Sequence, residues 1–317
     1  MTTFIGTVTR PSTGARARAR SLRRNGLVLG AVGLGIAGVA SLVSLNAGSL
    51  AASGAAPDQI AASAILAFGL ATAGFATVKL GIGVILLGIV RRLWIRVEAV
   101  KMALPGLMAQ RQPGDEPSGD YDSAFGPASA SHVAPGLLPI HRMAQLLWAP
   151  MLAMGAGLVA LGLLVDVSAA GQTGSAGGAS SAFAWAQGTM FLGETALLAG
   201  ISFLLGTILA AIRTGGGEVQ QSLGLTVKTL RMPSTAKAFI GLMVAGVMVG
   251  IVQLIGYAIV ASWDDTADVA AAFAALGPLR EFGLGLLLAG IVLALATIAK
   301  ALSFQFSRIT EIISSGR

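Results

Sequence analysis

Apolar residues along this chain are gathered into six runs, at about 26–46, 61–90, 145–165, 186–212, 238–261 and 282–301, separated by polar, charged or Pro- and Gly-containing stretches. A bilayer core of about 30 Å needs about 20 consecutive apolar residues to be crossed by a helix, more than most buried helices of water-soluble domains contain. The runs predict an all-α integral membrane protein with six transmembrane helices. Their order and spacing suggest three serial helical hairpins with helix extensions on the cytoplasmic side.

Charge then orients the runs. Of the 21 Lys and Arg residues, all but Lys79 and Arg280 fall on one side of the spans. The opposite loops carry Asp58, Asp166, Asp264, Asp265 and Asp268, with Arg280 at the edge of the sixth span. Basic residues concentrate in cytoplasmic loops, so both termini are expected in the cytoplasm and the protein in the cytoplasmic (inner) membrane. On this reading residues 1–22 form a basic cytoplasmic segment and 23–105 a first hairpin with its extension. Residues 106–140 form a cytoplasmic linker with the acids Asp115, Glu116, Asp120 and Asp122, and 141–317 a four-helix region ending in a cytoplasmic helix. Trp94 and Trp148 fall near the inner interface and Trp185 and Trp263 near the outer one, where indole rings prefer to lie. The basic start, the apolar run and the small residues after Asn46 also fit a cleaved leader, but the length of the run favours an uncleaved first span.

Composition narrows the chemistry. Hydrophobic residues make up 55% of the chain and charged residues 11%, against about 25% charged in soluble domains. The net charge of +7 is explained by the flanks of the spans, so no nucleic-acid partner is expected. The absence of cysteine excludes disulfides, thiolate metal sites and cysteine nucleophiles. The two histidines, His132 and His141, lie outside the spans and lack the short fixed spacing of a metal site. No phosphate loop, zinc-hydrolase helix or nucleophile elbow is present. Gly215-Gly216-Gly217-Glu218 lacks the lysine of a nucleotide loop and reads as a turn. No catalytic, cofactor or metal residues are nominated.

Packing signals are more abundant. Small residues four apart, Gly26/Gly30, Ala31/Gly35, Ala153/Gly157 and Gly246/Gly250, allow close helix approach in lipid, where packing drives association. Residues 197–212 and 287–302 are identical at nine of sixteen positions with a constant offset of 90, and Leu86-Leu87-Gly88 aligns more weakly with Leu204-Leu205-Gly206. This suggests a hairpin repeated in parallel orientation. Beyond the second span Leu93, Val97, Val100 and Leu104 form one stripe before Pro105, and beyond the sixth Leu302, Phe306, Ile309 and Ile313 form another. Each stripe calls for a partner, for the other extension, or for the inner leaflet. The glycine triplet is expected to break any equivalent extension after the fourth span.

Polar groups within the spans are few. Lys79 stands 12 residues before Arg91, about 18 Å along the helix, and so lies near mid-bilayer, where an unpaired charge costs at least about 2.5–3.5 kcal/mol. Glu194 is the one other ionisable residue within the middle four spans, and a Lys79–Glu194 contact is a natural hypothesis. Gln253 is a candidate for a hydrogen bond between helices, and Pro150 reads as a first-turn proline or mild kink. Arg280 and Glu281 read as interfacial.

Together these features support a non-catalytic membrane subunit or scaffold of a larger assembly. Its partners would be the bilayer and other membrane subunits or further copies of itself. Two readings stay open beside it: a transporter or channel for a small solute or ion using Lys79 and Glu194, and an anchor or assembly factor for a cofactor-bearing oxidoreductase.

Overall fold

The computed structural model describes residues 13–109, 128–173, 178–263 and 266–315. The helices are α1 (Thr13–Ala52), α2 (Pro57–Ala109), α3 (Pro139–Gly171), α4 (Gly178–Ser222), α5 (Ser234–Val260) and α6 (Thr266–Ser315); two short strands, β1 (Ala128–Ser131) and β2 (Val227–Leu230), complete the fold. All six helices are long and apolar enough to cross a membrane. Consecutive helices pair, α1 on α2, α3 on α4 and α5 on α6, and α4 also packs on α2, α5 and α6. The core therefore surrounds α4, and α1 lies at the periphery against α2.

The buried positions show why these pairs form. Along α5 they are Phe239, Met243, Gly246, Gly250, Gln253, Tyr257 and Val260, alternating four and three apart. Along α3 the series is Leu152, Gly155, Val159, Gly162, Asp166 and Ala169. Along α6 it runs from Arg280 through Gly283, Leu287, Gly290, Ala294 and Thr297. A period of 3.5 residues keeps one seam facing a neighbour as helices supercoil left-handedly.

Glycines set the closeness of these seams. A Cβ added at Gly33 would lie 2.6 Å from the Gly74 carbonyl oxygen and 2.8 Å from Val78. At Gly155 it would lie 2.7 Å from the Gly193 carbonyl oxygen and from Leu197, and at Gly246 it would lie 2.6 Å from Leu287 and 3.2 Å from the Gly283 carbonyl oxygen. Each hairpin thus places one glycine of its first helix against a Gly-x3-aliphatic-x2-Gly frame in its second: Gly74/Val78/Gly81, Gly193/Leu197/Gly200 and Gly283/Leu287/Gly290. The second and third frames are offset by 90. Their partners follow the same offset, with Val159 and Leu152 against α4 and Val249 and Leu242 against α6. The first frame aligns at an offset of 119, one residue away from the Leu86–Leu204 alignment expected from sequence.

Several expectations are corrected. Gly30, Gly35 and Gly157 face open space and Ala153 is exposed, so those three spacings do not mark seams; Gly246 and Gly250 do, against Leu287 of α6 and Thr195 of α4, while the contact glycines of the three frames recur every seven residues. Pro150 lies eleven residues inside α3 rather than in its first turn, and α2 continues through Pro105 to Ala109. The segment read as a linker contributes β1, which pairs antiparallel with β2, Ala128 opposite Leu230 and Ser131 opposite Val227. The acids at 115–122 lie outside the described residues.

The glycine triplet does not end α4. At Gly215 a side chain would meet Val97 at 2.6 Å; at Gly216 it would meet Gln305, and at Gly217 Pro135. Three elements close on α4 at these positions, so the extensions of α2 and α6 flank an α4 extension rather than packing mainly on each other. Leu104 is buried and Val97 and Val100 are half-buried, whereas on α6 the buried stripe is Phe304, Arg308 and Ile312. Phe306 is 67% exposed, and Leu302, Ile309 and Ile313 are half-buried. Gln220 ties this end together: its amide donates to the Lys228 carbonyl (2.9 Å) and accepts from the Lys228 N–H (2.9 Å) and from Arg308 Nε (3.3 Å).

Candidate functional site

The strongest cluster of charge inside the bundle centres on Glu194 of α4, 3% exposed. Lys79 Nζ of α2 donates to its Oε1 at 2.5 Å and Arg280 Nη2 of α6 to its Oε2 at 2.8 Å. Arg280 also donates to Thr72 Oγ1 of α2 at 3.3 Å. One carboxylate therefore holds cations from the two flanking hairpins.

The repeat explains the reach. By the offsets of 119 and 90, Lys79 is equivalent to position 198 of α4 and Arg280 to position 190, one turn to either side of Glu194. Each cation spans about 6 Å of axial displacement, and the lysine does so in the direction its side chain naturally leans, toward the N-terminus of its helix. Aromatic faces complete the arginine's surroundings, with its guanidinium carbon 4.9 Å from the Phe68 centroid and 5.8 Å from that of Phe191. In so apolar a setting the ring quadrupoles supplement the single carboxylate.

A second carboxyl lies close by in the fold. Asp166 of α3 is fully buried, and neither of its oxygens has a hydrogen-bond partner among the described residues. It packs on the backbone of α2 at Gly69, where any side chain would collide with the carboxylate. Asp166 and Arg280 thus abut the same stretch of α2, residues 68–72. Four helices contribute two cations and two carboxyl groups to one region of the bundle.

The structure brings Lys79 and Glu194 together. Gln253 donates to the Leu276 carbonyl of α6 at 2.5 Å, joining α5 to α6 rather than entering the charged cluster. Arg280, read from sequence as hydrated or paired with Glu281, is buried in the bundle, whereas Glu281 is exposed. Asp166, read from sequence as part of an outer loop, belongs to α3. Both differences have one cause: each helix continues past the end of its apolar run. Continuing the four-and-three spacing places Asp166 after Gly162 and Arg280 before Gly283 on the buried seams. His132 is exposed, and no group of three metal-ligating side chains occurs among the described residues.

Asp166 is thus a buried titratable carboxyl without a side-chain partner among the described residues, and Glu194 links the two flanking hairpins through Lys79 and Arg280. No family model, curated protein or solved structure matches this chain.

Proposed function

We propose that this protein is a multi-pass carrier of a small ion or solute in the cytoplasmic membrane, with both termini in the cytoplasm. The observation that supports it is Asp166. A carboxylate removed from water without a hydrogen bond is strongly disfavoured, and ionisable groups within membrane bundles mark ion and proton pathways. A proton or metal cation bound at Asp166 removes that penalty, and its departure restores it. Lys79 and Arg280 share Glu194 between hairpins, so a change of charge beside residues 68–72 of α2 alters how firmly those hairpins dock. Loading of the site is thereby coupled to movement of helices, which alternating access requires.

Proteoliposomes adsorbed on a solid-supported membrane test this reading. Wild type should give transient currents on steps in pH or in sodium or potassium concentration, and Asp166→Asn should give none. Equal currents from both would remove Asp166 from the mechanism, and none from either would remove the carrier.

The scaffold reading has its own support. The extensions expose Trp94, Met102 and Phe306 beside the α4 extension and the two-stranded sheet, a surface suited to another chain. An anchor for a cofactor-bearing oxidoreductase would use the same surface. Native mass spectrometry of protein taken from its own membranes separates these readings, since a scaffold or anchor carries stoichiometric foreign chains and a carrier does not require them.

A further inference from the structure

A cavity of about 110 Å³ opens at the basic end of the bundle, between α3, α4, α5 and α6, beside β2. Its wall on α4 is one helical face, Ser202, Gly206, Leu209 and Arg213, so the slot follows that helix for about 16 Å. Phe239 and Met243 of α5 and Phe304 of α6 line the facing side. The slot is apolar along its length and polar at its ends.

Those polar ends lack partners. Arg213 Nε and His141 Nδ1 are buried and make no hydrogen bond among the described residues, and the same holds for Ser202 Oγ at the inner end. Among the described residues no Asp or Glu lines the cavity. Native structures rarely leave buried polar groups unsatisfied, and those that are call for a missing partner. A cationic mouth on a narrow apolar slot, at the end of the bundle where Arg142 and Arg231 also lie, is complementary to one ligand class. It fits an amphiphile with an anionic head and an extended hydrocarbon tail.

We propose that this slot binds one acyl chain of an anionic phospholipid, with its phosphate held by Arg213 and His141. Arginine suits this role because its planar donor fork matches phosphate oxygens, and basic pockets between transmembrane helices hold such headgroups. The surrounding membrane supplies the ligand. Occupancy would brace α3 and α5 against α4 at the end where the extensions begin. The site is separate from the Glu194 cluster and does not depend on the carrier reading.

The test is native mass spectrometry of the full chain in mild detergent, titrated with dioleoylphosphatidylglycerol or dioleoylphosphatidylcholine. Wild type should retain one phosphatidylglycerol per chain after other lipids are stripped, and should not retain phosphatidylcholine so. Arg213→Gln should weaken that retention by about tenfold or more, the scale of one charge-assisted contact. Ala236→Leu, which fills the slot without changing charge, should abolish it. Melting in lipid-free detergent shows whether each variant is folded. Should either fail to fold, the wild-type melting temperature alone decides, because it should rise with phosphatidylglycerol and not with phosphatidylcholine. Equal retention of both lipids, retention unchanged in both variants, or a melting temperature indifferent to headgroup charge would each overturn the proposal.

Discussion

Helices α1 and α4 have the same mean hydropathy in their most apolar windows, 2.2, yet 17% of the α1 window is buried inside the protein and 89% of the α4 window. One helix faces lipid and the other faces protein on nearly every side. Hydropathy does not separate the two environments because lipid tails and a bundle core are equally apolar. Buried polar residues do separate them. Helix α4 keeps Gln187, Glu194, Thr195, Ser202, Thr207 and Gln220 out of solvent, whereas α1 meets α2 through exposed or half-buried polar contacts such as Asn46–Ser63 at 3.4 Å. In a membrane bundle polar side chains are kept away from lipid by the helices that surround them, so they report a helix's neighbours more faithfully than its apolar residues do.

The comparison is broken most severely at Glu194. Replacing it with alanine leaves Lys79 and Arg280 without their carboxylate. Removing one partner from a buried ion pair costs about 3–5 kcal/mol, and here two cations are stranded. Glu194→Ala should lower the melting temperature in detergent far more than Asn46→Ala, whose weak hydrogen bond is worth about 1 kcal/mol or less. Equal losses would mean that α4 has no special place.

Glycine seams give the next largest effect. A side chain at Gly193 would press on Val159, its backbone nitrogen included, at 2.8 Å, and backbone cannot rotate away. Overpacking of this kind costs about 1–3 kcal/mol or more. Gly193→Leu should destabilise the whole bundle by that amount, whereas Gly30→Leu, facing open space on α1, should stay within about 0.5 kcal/mol. Gly33→Leu lies between them. It should loosen α1 from α2 while leaving the remaining five helices intact, read as protease sensitivity confined to α1.

Asp166→Asn carries the smallest change in stability. The carboxyl has no side-chain partner to lose among the described residues, and the amide removes a buried charge, so the melting temperature should hold or rise by an amount worth about 1 kcal/mol or less. A large drop would mean that Asp166 is a structural partner rather than an ion site.

Much of this fold was legible in the chain, and the reasons are physical. Helix length and hydropathy answer to bilayer thickness, so the six runs predict the six helices. The offset of 90 between residues 197–212 and 287–302 reflects one hairpin seam used twice. The third use, around Gly74 and Gly81, was harder to see because only the glycines and one aliphatic residue persist. Four-residue glycine spacings misled at Gly30, Gly35 and Gly157, since a left-handed seam selects every seventh residue instead. Gly215-Gly216-Gly217 read as a breaker because propensity is local, whereas the structure uses the glycines to admit Val97, Gln305 and Pro135. Lys79 and Glu194 stood out because charge in an apolar run is rare. Arg280 and Asp166 did not, because each sits just past the end of an apolar run while its helix continues. The non-equivalence of these four residues within the repeat is itself informative: a symmetrical apolar frame carries an asymmetrical set of charges.

The central claim is that the Asp166 carboxyl exchanges an ion while the glycine frame around it holds the bundle. Proton flux into proteoliposomes loaded with a pH-sensitive dye, driven by a potassium diffusion potential, tests it most directly. Wild type and Gly30→Leu should acidify the lumen faster than protein-free vesicles, and Asp166→Asn, folded and reconstituted to the same density, should not. Flux in Asp166→Asn equal to that of wild type would contradict the account.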